Sequence, residues 1–260
     1  MVVPEIYNGL PVIKIGMQAF SHAYTIDNAL VLPDTIEVID KCAFSSMSRL
    51  KTIRIPKSVH TIEDGAFFAS EFTWISVDEE NERFCSLDGN IFTKDKNELI
   101  AYAIGKEEDV YYIPDEVSVL RDLSFYRCSL KKVVFNDNLL VIKRSAFSES
   151  KLLEELNLPP FLQEIGDHAF AGVENVKKIV IPATVGYIGN EAFYSFDKSE
   201  ISFEKPTDFL LVYAYQEKKS NKKLRKSALK NSKKATKFLT EKFSLYDWTA
   251  IRKSDKKVKE

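Results

Sequence analysis

Histidine and cysteine are the residues of this chain whose chemistry could support catalysis or hold a metal. The 260-residue sequence has three of each: His22, His60, His168, Cys42, Cys85 and Cys128. None of them belongs to an HExxH, CxxC or GxSxG motif, and the chain has no GxGxxG or Walker loop to receive a phosphate. Nothing in the sequence places a base beside a nucleophile. We therefore predict no catalytic residue, no cofactor and no metal, and a protein that is not an enzyme.

The cysteines do not form a disulfide framework, because an odd number of thiols cannot all be paired. Cys42 comes directly before Ala43-Phe44, in a position that related segments fill with unrelated residue types: Gln18, Gly65, Ser124, Ser145, His168 and Glu191. We assign the thiols a structural or incidental role, since lone cysteines commonly pack as small hydrophobic side chains.

Two acidic clusters are the remaining candidates for a metal site. One is Asp78-Glu79-Glu80 with Glu82, and the other is Glu107-Glu108-Asp109. Calcium prefers several oxygen ligands, but neither cluster has the spaced acidic residues and the turn glycine of a calcium loop. We interpret both clusters as solvated surface.

Larger-scale order comes from the dipeptide Ala-Phe, which recurs along most of the chain. It is found at Ala19-Phe20, Ala43-Phe44, Ala66-Phe67, Ala146-Phe147, Ala169-Phe170 and Ala192-Phe193, with Ser124-Phe125 as a degenerate copy. Adjacent copies lie about 23 residues apart, except across the gap between Phe67 and Phe125. A fixed period of this length is typical of solenoids, in which each repeat packs on the next.

The repeat reads Leu-x-x-Ile-x-Ile-Pro-x-x-Val-x-x-Ile-x-x-x-Ala-Phe. Its Ile-x-Ile part alternates with a period of two, so Ile53 and Ile55 should point inward while Arg54 faces water. The proline that follows ends each strand because it has no amide hydrogen; this position is filled by Pro33, Pro56, Pro114, Pro159 and Pro182. The Val-x-x-Ile part predicts a second wall that faces the same interior.

The Ala-Phe pair predicts a corner where a small residue allows coils to approach closely. We expect the rings at this position to stack as one internal column: Phe20, Phe44, Phe67, Phe125, Phe147, Phe170 and Phe193. Periodic aromatic residues are ordinarily core, so we interpret them as packing and not as a ligand-binding stripe.

These motifs resemble the BspA-type leucine-rich repeat family over roughly residues 3–204. The resemblance implies a mainly β, right-handed β-rich solenoid and an activity of binding other proteins. Many members of that family are bacterial surface proteins, and some adhesins among them bind host matrix proteins. The Asn or Cys turn position of the general leucine-rich repeat is not evident here, which fits the BspA-type subset.

Between Phe67 and Phe125 the rhythm is interrupted, and we predict an irregular hairpin unit at about residues 72–112. Asp88-Gly89 lies between two alternating segments, which is a strong hairpin signal because both residues accept a positive φ. Asp95-Lys96-Asn97 predicts a further reversal before Leu99. This segment also resembles an elongated β-rich insertion that is common in the family.

The C-terminal quarter differs in charge from the rest. Residues 206–260 have 16 Lys/Arg against 6 Asp/Glu, a net of +10, whereas residues 1–205 have 21 against 32, a net of −11. We predict a solenoid over residues 1–205 and a basic helical cap over residues 206–260. The first predicted helix begins after Asp208 with Phe209-Tyr215. The second is indicated by Leu224, Ala228 and Leu229, and the third by Ala235, Phe238, Leu239 and Phe243. A last short turn is predicted at Leu245, Trp248 and Ile251. Residues 253–260 should fray. Six basic residues should face solvent: Lys218, Lys219, Lys222, Lys223, Arg225 and Lys226.

From these observations we predict a monomeric protein-binding module that displays a rigid surface. The candidate contacts are Arg54, Val134, Asn157, Val180 and Ser202, one from each of several coils. We expect a protein partner, and no small-molecule substrate, nucleic acid or membrane. The alternatives are a structural spacer of a larger protein, and nucleic-acid or anionic-membrane binding through the basic C-terminal segment. There is no export signal; we expect a cell-surface or secreted location if the chain continues upstream of Met1, and a cytoplasmic one otherwise.

Overall fold

The computed structural model describes residues 1–27, 29–196, 198–213, 222–242 and 244–251, and these form a mainly β solenoid of about nine turns. The first strands are β1 (Ile6–Tyr7), β2 (Leu10–Pro11), β3 (Lys14–Ile15), β4 (Val38–Ile39), β5 (Thr52–Ile55), β6 (Thr61–Ile62) and β7 (Trp74–Val77). The central strands are β8 (Phe84–Leu87), β9 (Asn90–Thr93), β10 (Glu98–Ala101), β11 (Val110–Tyr112), β12 (Val119–Leu120), β13 (Lys132–Val134) and β14 (Val141–Ile142).

The last strands of the coils are β15 (Glu164–Ile165), β16 (Lys178–Ile181), β17 (Tyr187–Ile188) and β18 (Glu200–Phe203). The C-terminal elements are β19 (Phe209–Tyr213), β20 (Lys222–Leu224), α1 (Lys226–Leu229), α2 (Ser232–Lys237), a π-helical turn (Phe238–Lys242) and β21 (Tyr246–Ala250).

Two walls of parallel strands enclose the core. The strand wall is made of the parallel pairs β5–β7, β11–β13 and β16–β18. The second wall is made of the parallel sets β3–β4–β6 and β10–β12–β14–β15–β17. Ile53 and Ile55 of the strand wall are buried in one cluster with Val59 and Ile62, while Arg54 is exposed. The predicted alternation and the predicted second wall are therefore confirmed.

Side-chain donors join the coils where the proline loops lack amide hydrogens. In five loops, a polar side chain of the next coil donates a hydrogen bond to the carbonyl at the Val position of the repeat. The bonds are Thr35 to Val12, Ser58 to Ile36, Asn81 to Val59, Asn136 to Val117 and Thr184 to Leu162. These donors satisfy carbonyls that would otherwise be buried without a partner.

The Ala-Phe corners contain two residues per coil with a left-handed backbone. The first comes directly before Ala-Phe or its degenerate copy: Gln18, Cys42, Gly65, Leu123, Ser145, His168 and Glu191. Leu123, and not Ser124, is thus the true member of this column, because Ser124 occupies the alanine position. Most of these residues donate their amide to the next coil, as Ser145 does to the Asp167 carbonyl at 2.8 Å. The column tolerates many residue types because its constraint lies in the backbone.

The phenylalanines form two stacks and not the single column that the repeat predicted. Phe20, Phe44 and Phe67 stack with ring centroids 5.5 and 5.7 Å apart. The second stack is Tyr102, Phe125, Phe147, Phe170 and Phe193, with centroids 4.8 to 5.7 Å apart. Buried residues accordingly group into two clusters that meet within the hairpin unit, where Ile91 belongs to the first cluster and Phe92 to the second.

The predicted hairpin is confirmed. β8 and β9 pair in antiparallel register around Asp88 and Gly89, both of which have a positive φ. β9 then pairs with β10 in antiparallel register, so the chain also reverses near Lys96, as predicted. β10 runs parallel to β12 and thereby returns the chain to the second wall.

The C-terminal segment is less helical than predicted. Short helices occur where Ala228, Leu229 and Ala235 indicated them, but the predicted helix after Asp208 is wrong, because Phe209–Tyr213 is the strand β19. Phe209 and Leu211 are buried and Leu210 is half-exposed, which is a period of two. The predicted turn around Trp248 is also wrong, since that residue lies in β21, which pairs with β17 and β19.

The edge of β17 accounts for both errors: β21 pairs with that edge and β19 pairs with β21, so strands cover an edge that would otherwise be unpaired. Asp208 does not cap the predicted helix; its carboxylate accepts the amide of Lys226, the first residue of α1, at 2.9 Å. Ala214, Tyr215, Lys218, Lys219, Phe243 and the residues after Lys253 lie outside the described residues. The division into a solenoid (1–205) and a cap (206–260) stays a prediction.

Candidate functional site

The candidate contacts all lie on the outward side of the strand wall. Val180 of β16 is directly opposite Ser202 of β18, so the structure brings these two side chains together. Val134 of β13 is opposite Tyr112 of β11, and Asn157 follows the bridge that joins Lys132 to Glu155. Arg54 is separated from this group, because the hairpin of β8 and β9 lies between β7 and β11 and interrupts the wall.

Arg54 is not a free contact residue, because its guanidinium forms an ion pair with Asp78 of the next coil. Two neighbouring pairs run the same way between these coils: Lys51 to Glu71 at 2.8 Å and Lys57 to Glu80 at 2.6 Å. Exposed pairs of this kind contribute little to stability. They do fix the side chains along one edge of the candidate surface.

Two exposed aromatic residues on the same wall were missed by the sequence reasoning. Tyr112 is 69% exposed and Trp74 is 51% exposed. Tyr112 occupies the same repeat position as Arg54 and Val134, directly before Ile113-Pro114, so alignment on the Ile-Pro motif would have found it. Large exposed aromatic side chains are typical of protein interfaces.

The acidic clusters are largely ion-paired. Asp78 and Glu80 pair with the preceding coil, and Asp109 pairs with Lys131 at 3.0 Å. Glu108 accepts a hydrogen bond from the Tyr102 hydroxyl at 3.3 Å, and burial together with this carboxylate raises the pKa of Tyr102. Across the part of the chain that the structure describes, no three His, Cys, Asp or Glu side chains are grouped so as to hold a metal ion.

One serine does lie beside a histidine, contrary to the prediction. The Ser21 Oγ is 2.8 Å from the His22 Nδ1, and the Ser45 hydroxyl donates to the Ser21 Oγ at 2.8 Å. This chain of hydrogen bonds joins two adjacent coils at an exposed corner. Among the described residues no carboxylate contacts the His22 ring, so the pair lacks the orienting group of a catalytic triad.

His168 lies beside Glu191, with 2.8 Å between the His168 Nε2 and the Glu191 Oε2, and this contact also joins adjacent coils.

A cavity of about 650 Å³ runs along the corners of several coils, from Cys42 to Asn190. At one end, the carboxylates of Asp167 and Asp247 both accept the Asn190 amide at 3.1 Å. Burial and the nearby Asp167 carboxylate raise the pKa of Asp247, and a hydrogen bond with Tyr187 offsets part of this effect. The two carboxylates are thus held at the same backbone amide, which keeps Asp247 close to a second acid.

The raised pKa of Asp247 predicts a pH-dependent stability. An acid with a higher pKa in the folded state binds its proton more strongly when folded, so its contribution to stability falls as the pH rises from the ordinary aspartate value through the folded value. We expect Asp247→Asn to raise the Tm by about 1–2 °C at pH 7, and the gain to shrink at pH 4. Thermal unfolding at both pH values tests this, with the exposed Asp137→Asn as control; an equal gain at both pH values would contradict it.

A basic groove of about 550 Å³ lies between the last coil and α2. Its cationic lining residues are Lys177, Lys198, Lys233 and Lys237, and the acidic residues Glu200 and Glu241 face the same space. The four lysines outnumber the two glutamates, so the lining has a net charge of +2. Among the described helices, none has the length and the apolar character needed to cross a membrane.

Comparisons with known proteins agree with this architecture. A model of the family described as "BspA type leucine rich repeat region" matches residues 12–99 and 108–222, with six copies of the repeat. No protein of curated function matches the chain.

Several solved structures are similar to the chain. The pneumococcal vaccine antigen PcpA shares 32% sequence identity with a TM-score of 0.69, over 74% of this chain and 48% of the antigen. A leucine-rich cell surface protein of Faecalibacterium prausnitzii shares 24% identity with a TM-score of 0.61, over 78% of this chain and 59% of that one. A leucine-rich repeat protein of Eubacterium ventriosum shares 20% identity with a TM-score of 0.54, over 74% of this chain and 70% of that one. The chain thus spans about half the length of the pneumococcal antigen, and the other two similarities concern the fold alone.

Proposed function

We propose that this chain, which belongs to the BspA-type leucine-rich repeat family, is a protein-binding module. It would be part of a bacterial surface or adhesin-like protein, and its partners would be host or matrix proteins. The observation that carries this proposal is the outward side of the strand wall. Each coil presents a side chain there at the same position of the repeat, and several are apolar and exposed, such as Tyr112 at 69% and Val180 at 43%. Repeats of this family are typically non-enzymatic scaffolds, and we propose the same for this chain.

The mechanism is rigid display. The packed ring stacks and the hydrogen bonds between coils hold the strand wall in one shape, so a partner docks without a large rearrangement of this chain. The net charge of −11 over residues 1–205 favours a partner with a basic surface, mainly through faster association. As a monomer, the chain would leave this surface free for the partner.

The experiment compares three forms of the full chain, each immobilised and presented with a panel of purified host matrix proteins. The strand-wall variant carries Val134→Lys, Asn157→Lys and Val180→Lys. The control variant carries Leu152→Lys, Phe161→Lys and Tyr194→Lys, three exposed residues outside the wall. Both variants add the same positive charge, so a difference between them reports the location of the surface.

We expect at least one matrix protein to bind the wild type and the control variant, and to bind the strand-wall variant at least tenfold more weakly, because the lysines repel a basic partner and remove apolar contact area. Surface plasmon resonance measures this. Equal binding by all three forms would contradict the proposal, because the strand wall would then not be the binding surface. No binding to any form would also contradict it and would favour the structural spacer. The other alternative is binding of nucleic acid or an anionic membrane through the basic C-terminal helices, and salt-sensitive binding of nucleic acid in a filter-binding assay at low salt would favour it.

A further inference from the structure

The tip of the β8–β9 hairpin forms an acidic cavity beside an exposed tryptophan on the strand wall. The cavity has a volume of about 560 Å³, and its lining residues include Trp74, Asp88, Lys106, Glu107 and Glu108. It lies where the hairpin interrupts the wall between β7 and β11. We propose that this cavity receives an arginine side chain of a protein partner, with the guanidinium stacked on Trp74; this inference rests on the proposed protein-binding function.

The indole of Trp74 packs closely on the hairpin turn and is still about half exposed to solvent. A Cβ placed on Gly89 would be 2.8 Å from the Cε3 atom of Trp74, so only glycine allows the ring to lie this close to the hairpin turn. The side chain nevertheless stays 51% exposed. The chain has two tryptophans, and the other, Trp248, is buried at 1% exposure. A fixed, open aromatic face is the feature that cation–π binding requires.

The second element of the cavity is the segment of residues 105–108, which a close backbone crossing holds in place. The Gly105 amide donates to the Phe72 carbonyl at 2.9 Å, and a Cβ on Gly105 would be 2.2 Å from the Glu71 carbonyl oxygen. This crossing places Lys106, Glu107 and Glu108 beside the start of β7. The acidic cluster that the sequence indicated therefore lies next to the exposed tryptophan.

The charge of the cavity favours a cation. Three carboxylates (Asp88, Glu107 and Glu108) face one ammonium (Lys106), which leaves a net charge of −2. Lys106 is already engaged, because its ammonium contacts the Asp88 carbonyl and Glu108 and lies 5.3 Å from the centre of the Tyr102 ring, and only 9% of its side chain is exposed. Asp88 and Glu107 are exposed and form no ion pair with another described residue.

Arginine fits this arrangement better than lysine. Its guanidinium is planar, so it can stack on the indole and at the same time donate hydrogen bonds to a carboxylate at its edge. Tryptophan and arginine are also enriched among the residues that dominate interface energies. The cavity would thus anchor the partner, while the outward row of the strand wall supplies the surrounding contact area.

The test titrates the full chain with N-acetyl-arginine methylamide and follows the two indole N–H signals by NMR. N-acetyl-citrulline methylamide is the control probe, because it has the same shape without the charge. We expect the arginine probe to shift the Trp74 signal saturably, with a Kd on the order of 10 mM, and to leave the Trp248 signal unchanged. The citrulline probe should produce at most a tenth of that shift at equal concentration.

Variants separate the two parts of the cavity. Trp74→Ala should weaken probe binding at least tenfold, measured by the neighbouring backbone amides, and Trp74→Phe about threefold, since tryptophan is the best cation–π partner. Asp88→Asn with Glu107→Gln should weaken binding about fivefold, because both acids attract the cation. Asn is well tolerated at the positive φ of position 88, so this pair preserves the hairpin. The control pair is Glu5→Gln with Asp137→Asn, which should have no effect.

Two results with the probes would overturn the proposal: the citrulline probe binding as tightly as the arginine probe, or N-acetyl-lysine methylamide binding more tightly than the arginine probe. Two results with the variants would also overturn it: Trp74→Ala binding the arginine probe like the wild type, or the Asp88→Asn, Glu107→Gln pair binding it like the control pair. Loss of the cavity and loss of the proposed function are distinguishable. A probe that fails to bind overturns the cavity alone, whereas equal binding of matrix proteins by the strand-wall variant overturns the proposed function alone.

Discussion

Phe147→Ala is expected to lower the free energy of unfolding by about 3–5 kcal/mol, the usual cost of truncating a buried phenylalanine. Phe147 is fully buried in the middle of the second stack. Its ring centroid is 4.8 Å from that of Phe125 and 5.5 Å from that of Phe170, and Phe135 meets it edge-on at 5.8 Å. Alanine would leave a cavity between coils that both neighbouring rings line. Denaturant unfolding followed by circular dichroism measures the change.

The matched control for this substitution is Phe161→Ala, since Phe161 is 58% exposed. Removing the same atoms from an exposed position should change the free energy of unfolding by less than about 0.5 kcal/mol. If both substitutions shifted the denaturation midpoint equally, the ring stack would not be a source of stability. Phe20→Ala should give an intermediate loss, because Phe20 is half-buried at the end of the first stack.

The periodic part of the fold could be predicted from the sequence because each coil repeats the same contacts. Ile53 and Ile55 alternate with Arg54, and this local pattern is sufficient to place a strand with one face inward. The residue that follows such a strand is often proline, which marks the end of the strand. Each coil then forms hydrogen bonds with its neighbouring coils, so no contact between distant parts of the sequence is needed to predict them. The BspA-type family, the solenoid and the hairpin at Asp88-Gly89 were therefore predicted correctly.

The break between the two ring stacks was harder to predict. The sequence does contain the continuation, because Ala101-Tyr102 lies at the Ala-Phe position, 23 residues before Phe125. The Tyr102 amide donates to the Ser124 carbonyl at 2.9 Å, the same bond that Phe125 makes to Ala146 at 2.8 Å. A search for phenylalanine alone misses this coil, since tyrosine fills the position. The discontinuity after Phe67 depends on how the hairpin packs, which no local pattern determines.

The C-terminal strands show a second limit of local reasoning. The segment of residues 209–213 contains leucine and aromatic residues that fit either a helix or a strand. Its conformation is decided by β21, which pairs with the edge of β17 from about 60 residues later in the chain and in turn pairs with β19. Pairing across such a distance leaves no signal in the sequence of β19 itself.

The candidate contacts were predicted as a row of side chains, and the repeat was sufficient to place that row on the strand wall. The repeat could not predict which other residues lie beside the row. The ion pair between Arg54 and Asp78 joins residues whose relation follows from the period of the repeat. By contrast, Trp74 and Glu107 come together only because the chain crosses itself at Gly105. Features that lie within the repeat were accessible from the sequence, whereas features formed by the insertion required the structure.

Asn81→Ala is expected to lower the free energy of unfolding by about 3 kcal/mol, because a buried side chain with several hydrogen bonds leaves unsatisfied partners when it is removed. Asn81 is fully buried. Its Nδ2 donates to the carbonyls of Pro56 at 2.9 Å and Val59 at 2.8 Å, and its Oδ1 accepts the amides of Arg83 at 2.9 Å and Phe84 at 2.8 Å. One side chain thus joins a proline loop to the start of β8, the first strand of the β8–β9 hairpin.

The control is Asn157→Ala, the same substitution at an exposed position of the strand wall, which should cost less than about 0.5 kcal/mol. Asn136→Ala is the comparison within the same role, since Asn136 donates to the carbonyls of Pro114 and Val117 in the equivalent loop. We expect it to destabilise the chain as well, by about 2 kcal/mol. Chemical denaturation of the three variants tests the order Asn81, Asn136, Asn157. If Asn81→Ala lowered the free energy of unfolding as little as Asn157→Ala does, water would be satisfying the loop carbonyls. The side-chain donors would then not be needed to join the coils at the proline loops.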